Sequence, residues 1–129
     1  MRSNSKILIV EDELVLQLML EHMLKKMGFE QFGTATKGST AIQKAKEDSY
    51  DLILMDIMLQ DDIDGIMATK SIQDKTMIPV IYISGNSDKY NYERAETTNF
   101  IDFIPKPVNK ESLAKSFSKA ENIKIEKSS

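Results

Sequence analysis

The sequence predicts a doubly wound α/β fold, in which helices cover both faces of a five-stranded parallel sheet. Apolar runs typical of buried strands alternate strictly with helix-like segments, and the connections between them are only a few residues long. A strand of a parallel sheet reads as an almost continuous apolar run, because both of its faces are covered. Strict alternation of this kind predicts parallel strands joined by right-handed helical crossovers.

The first two strand–helix units are marked by apolar runs and a glycine. Residues 6–10 predict a buried strand, and residues 13–27 predict a helix that ends at Gly28, in the position of a left-handed cap. Residues 29–35 predict a weak second strand, and 38–48 a short second helix. The first helix has two apolar rows at four-residue spacing, which predict a wide inward face: Val15, Met19 and Met23, and Leu16, Leu20 and Leu24.

The remaining elements follow from the same patterns. Strands are predicted at 51–55, 80–83 and 100–104, and helices at 64–75, 87–97 and from 109 onward. Asp64 and Asn109 are of the residue types that cap a helix N-terminus with a side-chain oxygen. The sequence shows no repeat and no linker, so we expect one domain over residues 1–129 with its core at about 6–121.

Composition excludes several classes of protein. The chain has no cysteine, which excludes a disulfide framework and thiolate metal sites. The net charge is −3 and the basic residues are scattered, so direct binding to nucleic acid is not expected. No apolar run approaches the roughly 20 residues of a membrane span, so we expect no membrane insertion and a soluble cytoplasmic domain. The single histidine, His22, lies within the first helix and is expected to face solvent, which disfavours zinc.

Reactive side chains follow the strands of the predicted sheet. Glu11 and Asp12 follow the first strand, Asp56 the third, Ser84 the fourth and Lys106 the fifth. Taken singly, Asp12 could be a helix cap, Ser84 a turn residue and Lys106 a solvated loop cation. Ligands of open parallel sheets bind at the carboxyl ends of the strands, so the conjunction predicts one site.

That combination of groups suits phosphoryl transfer with a divalent cation. Carboxylates packed together repel, and Mg²⁺ relieves the repulsion because it prefers oxygen ligands. Asp12 and Asp56 would bind it directly, and Glu11 directly or through water. Asp56 would be the nucleophile, with Lys106 and the cation holding phosphoryl oxygens and Ser84 donating a hydrogen bond to another.

Five short motifs, in their order and spacing, resemble the receiver domain of two-component response regulators over residues 6–120: ILIVEDE (7–13), DLILMD (51–56), DG (64–65), ISG (83–85) and KP (106–107). The resemblance implies a flavodoxin-like sheet of order 2-1-3-4-5. It also implies a signalling domain rather than an enzyme, which assists only its own phosphotransfer and dephosphorylation.

The resemblance also implies roles for particular residues. Asp56 would accept a phosphoryl group from a histidine kinase or a histidine phosphotransfer domain. The backbone carbonyl of Met58 would be a further ligand of Mg²⁺, for which Mn²⁺ could substitute. Phosphorylation would draw in Ser84 and turn Phe103 inward, and the Lys106–Pro107 peptide would be cis.

The resemblance places the output at the face of the fourth helix, fifth strand and fifth helix, where a downstream effector or a second copy would bind. Side chains on or near that face are Tyr82, Tyr90, Tyr92, Phe103 and Lys106. Two departures from the family pattern are a longer loop after Asp56, without the proline often found near Gln60, and Ser84 in place of threonine. Met58 and Asn86 flank the site where side chains tune dephosphorylation.

Three alternatives stay open. One is a receiver-like scaffold that works without phosphorylation, although every reactive position is filled. A second is an aspartyl phosphotransferase of the haloacid dehalogenase type, but those place two aspartates one residue apart after the first strand, and here Glu11 and Asp12 are adjacent. The third is a flavin- or nucleotide-binding module, which would need a phosphate-cradling loop where this acidic pair lies.

Overall fold

The structure is a computed structural model that describes residues 4–85 and 89–128. Five parallel strands form one sheet in the order β2-β1-β3-β4-β5. The strands are β1 (Lys6–Val10), β2 (Gln31–Ala35), β3 (Leu52–Asp56), β4 (Val80–Ser84) and β5 (Phe100–Pro105). The helices are α1 (Leu14–Lys26), α2 (Gly38–Glu47), α3 (Gly65–Gln73), α4 (Lys89–Ala95) and α5 (Lys110–Ser128). The predicted doubly wound fold and its strand order are therefore confirmed.

The core consists of two apolar layers, one on each face of the sheet. Successive side chains of a strand point to opposite faces. Leu8 and Ile53 accordingly enter the layer beneath α2 and α3, while Ile7 and Leu52 enter the layer beneath α1 and α5. All four are fully buried, as expected for central strands of a doubly wound sheet.

The end of α1 explains why β2 begins later than predicted. Gly28 has φ of 101°, and its N–H donates to Lys25 O at 3.0 Å. The Phe29 N–H donates to Leu24 O at 3.1 Å, which completes a Schellman motif and confirms the predicted glycine cap. Because Gly28 and Phe29 belong to the cap of α1, the pairing of β2 with β1 starts only at Gln31.

Three predictions about burial differ from the structure. Val15 and Met19 are 72% and 49% exposed, because α1 meets the sheet through its other row, at Leu20 and Leu24. Tyr82, expected on or near the output face, is fully buried because its side chain enters the layer beneath α2 and α3, where its ring lies near Phe103.

Other predictions hold or lie outside the described residues. His22 is exposed, as predicted. Helix α4 is described from Lys89; the predicted start at Ser87 and the flanking Asn86 fall outside the described residues. Within the described ranges, no helix combines the length and the apolar character needed to cross a lipid bilayer.

Candidate functional site

Three carboxylates meet at the carboxyl edge of the sheet. Glu11 and Asp12 follow β1, and Asp56 is the last residue of β3, which lies next to β1 in the sheet. One oxygen from each of the three side chains lies within 4.8 Å of the other two. Glu11 and Asp56 are each 1% exposed, and Asp12 is half-buried. The structure thus brings together the acidic residues that the sequence predicted to converge.

Glu11 is held in place by its neighbours but keeps one oxygen unsatisfied. Its Oε2 accepts a hydrogen bond from the Glu13 N–H at 3.1 Å, and its carbonyl accepts from the buried Gln17 side chain at 3.2 Å. Its Oε1 has no hydrogen-bond partner among the described residues, although the Lys106 ammonium lies at 3.2 Å. Burial, followed by the neighbouring Asp56 carboxylate, raises the pKa of Glu11 to about 8.

Asp12 is not the cap of α1, which was its simplest alternative role. The N-cap residue of that helix is Glu13. Asp12 instead reaches across the edge of the sheet, where its Oδ2 accepts a hydrogen bond from the Gln60 N–H at 3.0 Å. The acidic residue after β1 therefore fixes the loop that follows β3.

Asp56 lies between a backbone donor and an ammonium group. Its Oδ1 accepts from the Met58 N–H at 3.1 Å, and its Oδ2 lies 3.3 Å from Lys106 Nζ. Burial alone would lower the pKa of Lys106, but the carboxylates of Asp56 and Glu11 outweigh it and raise that pKa above its usual value. Lys106 is therefore a charged partner for both buried acids.

Ser84 and Lys106 are positioned by the pairing of β3, β4 and β5. Asp56 pairs in register with Ile83, so Ser84 lies one residue beyond it on the adjacent strand. Ser84 is fully buried, and its carbonyl accepts from the Lys106 N–H at 2.8 Å. The Lys106–Pro107 peptide is cis, as the resemblance implied.

Gly65 allows α3 to start directly against Asp56. A Cβ at this position would lie 2.1 Å from the Asp56 carbonyl oxygen. The Gly65 N–H donates to Ile57 O at 3.0 Å, and the preceding Asp64 caps α3 by accepting from the Met67 N–H at 2.9 Å. Any side chain at position 65 would displace the backbone that holds the acid.

Helix α4 is tied to the loop after β3 by contacts that the sequence did not reveal. Arg94 forms an ion pair with Asp64 at 2.7 Å and donates to Asn91 Oδ1 at 3.2 Å. The Asn91 amide in turn lies 3.9 Å from the Met58 sulfur. The two contacts that join α4 to this loop, Arg94–Asp64 and Asn91–Met58, link residues far apart in sequence, so only the folded chain brings them together.

Phe103 lies in a group of aromatic rings between β4, α4 and β5. Its ring centroid is 6.3 Å from that of Tyr82 and 5.6 Å from that of Tyr92. Phe103 is half-buried, and Tyr90 and Tyr92 on α4 are 69% and 45% exposed. The face formed by α4 and β5 therefore presents aromatic surface to solvent.

The donor set at the carboxyl edge fits a hard divalent cation. It consists of carboxylate oxygens, one of which is buried without a hydrogen-bond partner among the described residues. Among the described residues, the ammonium group of Lys106 lies near two of the three acids but carries only one positive charge, so a cation would relieve the remaining repulsion. Oxygen-only ligation by carboxylates suits Mg²⁺ rather than zinc.

Known proteins resemble the chain in both sequence and structure. Chemotaxis protein CheY of Bacillus subtilis is 34% identical in sequence, over 91% of this chain and 98% of its own length. Two-component system protein A of Emericella nidulans is 34% identical over 83% of this chain. The chain spans only 16% of that protein and less than half of several other curated relatives.

A solved structure bears directly on the metal. The receiver domain of the sensor histidine kinase PA1611 of Pseudomonas aeruginosa, described with a magnesium ion coordinated in the active-site cleft, superimposes with a TM-score of 0.78. It is 30% identical in sequence, over 87% of this chain and 93% of that one.

The sequence also matches the family described as the response regulator receiver domain, over residues 7–118. Members of this family are signalling domains of two-component systems that bind Mg²⁺ in their active site and interact with histidine kinases and effector domains. The match covers most of the chain, including all three carboxylates, Ser84 and Lys106. The chain therefore belongs to the response regulator receiver domain family.

Proposed function

We propose that this domain accepts a phosphoryl group on Asp56 from a phosphohistidine donor and uses the modified state to change a partner-binding surface. The observation that carries the proposal is the position of Asp56. It is a buried carboxylate at the end of β3, within reach of two further acids and of Lys106. A buried acid surrounded in this way is costly for folding, and a role in chemistry accounts for it.

The proposed reaction forms one bond and breaks one. An Asp56 carboxylate oxygen bonds to phosphorus as the P–N bond of the phosphohistidine breaks, and the imidazole leaves with the electron pair. Lys106, now 3.3 Å from Asp56 Oδ2, would hold a phosphoryl oxygen. Ser84, on the adjacent strand, would donate a hydrogen bond from its hydroxyl group to another phosphoryl oxygen.

Mg²⁺ would be bound by Glu11, Asp12, Asp56 and the backbone carbonyl of Met58. When bound, it supplies the positive charge that draws the phosphoryl oxygens towards the acidic site. The hydrogen bond from the Gln60 N–H to Asp12 supports this assignment, because it orients one carboxylate relative to the loop that carries Met58. Mn²⁺, which also suits carboxylate and carbonyl ligands, could substitute for Mg²⁺.

The modified state would be read at the face of α4, β5 and α5. Ser84 would move towards the phosphoryl group, and Phe103 would turn into the space that opens beside β4. Two observations support this route: Phe103 contacts Tyr92 on α4, and Arg94 on the same helix is paired with Asp64 beside the site. A downstream effector or a second copy of the chain would bind the exposed surface around Tyr90 and Tyr92.

The donor would dock beside the site, on the exposed apolar side of α1. This surface begins directly after the acidic segment and consists of Leu14, Val15, Leu18 and Met19, each of which is 49 to 72% exposed. A helical donor domain carrying the phosphohistidine could pack against it while the phosphoryl group faces Asp56. Exposed apolar patches next to an active site commonly mark protein interfaces.

The test is phosphorylation by a small donor. The protein is incubated with acetyl phosphate and Mg²⁺, and its intact mass is measured beside an Asp56→Asn control. We expect one added phosphoryl group in the wild-type protein, and none in the control or when EDTA removes the metal. A control that gains the group equally would overturn Asp56 as the acceptor.

The scaffold alternative makes the opposite prediction. If no adduct forms with acetyl phosphate, a sensor kinase or a histidine phosphotransfer domain, the domain works without phosphorylation. In that case the face of α4, β5 and α5 would bind its partner equally well in the wild-type protein and the Asp56→Asn variant.

A further inference from the structure

A cavity between α2 and α3 has no part in the site described above. It has a volume of about 490 Å³ and is lined by residues of both helices and of the turn that follows α3. Small-molecule sites are clefts of about 300–1,000 Å³ with a mainly apolar lining and a few polar groups. The size of this cavity therefore suits a small ligand.

The floor of the cavity is apolar and its rim is charged. Ala45 and Ile72 are buried beneath it, and Ile42 is half-buried. Lys46 on α2 and Lys75 after α3 lie at the rim, and both are exposed. Apolar surface beneath two ammonium groups is complementary to a molecule with an apolar body and an anionic head.

The two lysines are close enough to repel each other. The Lys46 ammonium lowers the pKa of Lys75, whereas Asp74, the one carboxylate that lines the described cavity, acts weakly in the opposite direction. The rim therefore carries two positive charges and one negative charge. An anion placed between the lysines would relieve their repulsion, and the Ser71 and Thr76 hydroxyls line the same cavity as further polar groups.

We propose that the α2–α3 cavity binds a small anionic amphiphile, that is, a carboxylate or sulfonate on a ring or a short branched chain. The apolar body would rest on Ala45 and Ile72, with the anion between Lys46 and Lys75. This binding is independent of the phosphoacceptor site, because none of the lining residues belongs to that site.

Naphthalene sulfonate is a suitable probe, since it combines one apolar ring system with one anionic group. Its binding is followed by amide proton–nitrogen correlation spectra of the full chain. We expect saturable shifts at Ala45, Ile72 and Thr76. The Lys46→Gln/Lys75→Gln double variant should lose at least about threefold in affinity, as expected for two partly screened ion pairs.

Matched controls make the result specific. The Lys25→Gln/Lys26→Gln double variant removes the same charge at the end of α1, and it should bind as the wild type does. The neutral analogue naphthalene methanol should bind more weakly than the sulfonate. Shifts that map instead to the exposed apolar side chains of α1, or equal losses in both double variants, would overturn the proposal.

The outcome is separable from that of the phosphorylation experiment. The Asp56→Asn variant should bind the probe with unchanged affinity, and the Lys46→Gln/Lys75→Gln variant should still accept a phosphoryl group. Loss of probe binding in the Asp56→Asn variant would contradict an independent site.

Discussion

The sheet has an amino edge and a carboxyl edge, where the strands begin and end. Each edge places a lysine beside carboxylates, but the two edges differ in burial and in net charge. At the amino edge, Lys6 forms an ion pair with Asp48, and its backbone N–H donates to Asp51 at 2.8 Å. At the carboxyl edge, Lys106 lies near both Glu11 and Asp56, and Asp12 adds a third carboxylate. The amino-edge pair is solvated and neutral by itself, whereas the carboxyl edge is buried and acidic. The carboxyl edge therefore brings three acids near one ammonium group, which is the imbalance that the proposed cation would relieve.

The largest difference between the two edges is expected in the rate of phosphorylation when Lys106 or Lys6 is replaced. Lys106→Gln should slow phosphorylation by acetyl phosphate at least about tenfold, because an ammonium that stabilises the developing charge is removed. Lys6→Gln at the amino edge should leave the rate unchanged. The measurement is a time course of intact mass. A Lys106→Gln rate equal to that of the wild type would remove this residue from the proposed machinery.

The two aspartates should differ in metal binding. Asp12→Asn should weaken Mg²⁺ binding at least about tenfold, since it removes a carboxylate from the proposed ligand set. Asp48→Asn removes the same charge at the amino edge and should leave the affinity as it is. Isothermal titration calorimetry measures both. Equal effects would mean that net charge, rather than the site, governs binding.

The contributions of the two edges to folding stability should change in opposite directions with pH. In EDTA, Glu11 has a pKa raised to about 8 from 4.5, so its contribution to stability is complete below its unfolded pKa and is lost as pH rises through about 8. The metal-free domain should unfold at lower urea concentration at about pH 9 than at about pH 6, and Glu11→Gln should reduce that difference. If the Glu11→Gln variant showed the same difference in urea stability between the two pH values as the wild type, another group would be responsible for it.

At the amino edge, the pH dependence of folding stability has the opposite sign. The hydrogen bond from Lys6 lowers the pKa of Asp48, so the pair stabilises the fold above the unfolded pKa of Asp48 and loses this effect as pH falls. The effect is small because the pair is solvated: Asp48→Asn should change the melting temperature by roughly 2 °C or less. Circular dichroism melts at neutral pH test this, and a larger loss would show that the pair is structurally important.

The strands and the acidic site were predictable because both depend on local signals. The short apolar runs at residues 6–10 and 80–83 alternate with helical segments, which favours buried strands of a parallel sheet and places the residues that follow them at its carboxyl edge. Asp12, Asp56 and Lys106 were identified in this way. Their proposed roles followed from the chemistry of carboxylates and an ammonium group beside a divalent cation, and the family resemblance implied the same roles.

Features that depend on contacts between distant elements could not be predicted. Apolar spacing marked Val15 as inward, but the spacing does not reveal how much of a helix face the sheet can cover. Tyr82 lies on β4, where every residue is buried. Because this strand has no alternation of apolar and polar residues, the sequence did not show which face of the sheet the Tyr82 side chain joins. The Arg94–Asp64 ion pair and the hydrogen bond from Gln60 to Asp12 likewise depend on tertiary packing.

The ring group around Phe103 also equips the protein with an optical reporter. The chain has four tyrosines and no tryptophan, so its near-ultraviolet emission comes from tyrosine alone. Tyr82 and Tyr92 contact Phe103, and Tyr90 lies on the same helix as Tyr92. Two of the four emitters, Tyr82 and Tyr92, therefore lie beside the proposed switch, and a rearrangement there would alter the natural fluorescence of the unlabelled protein.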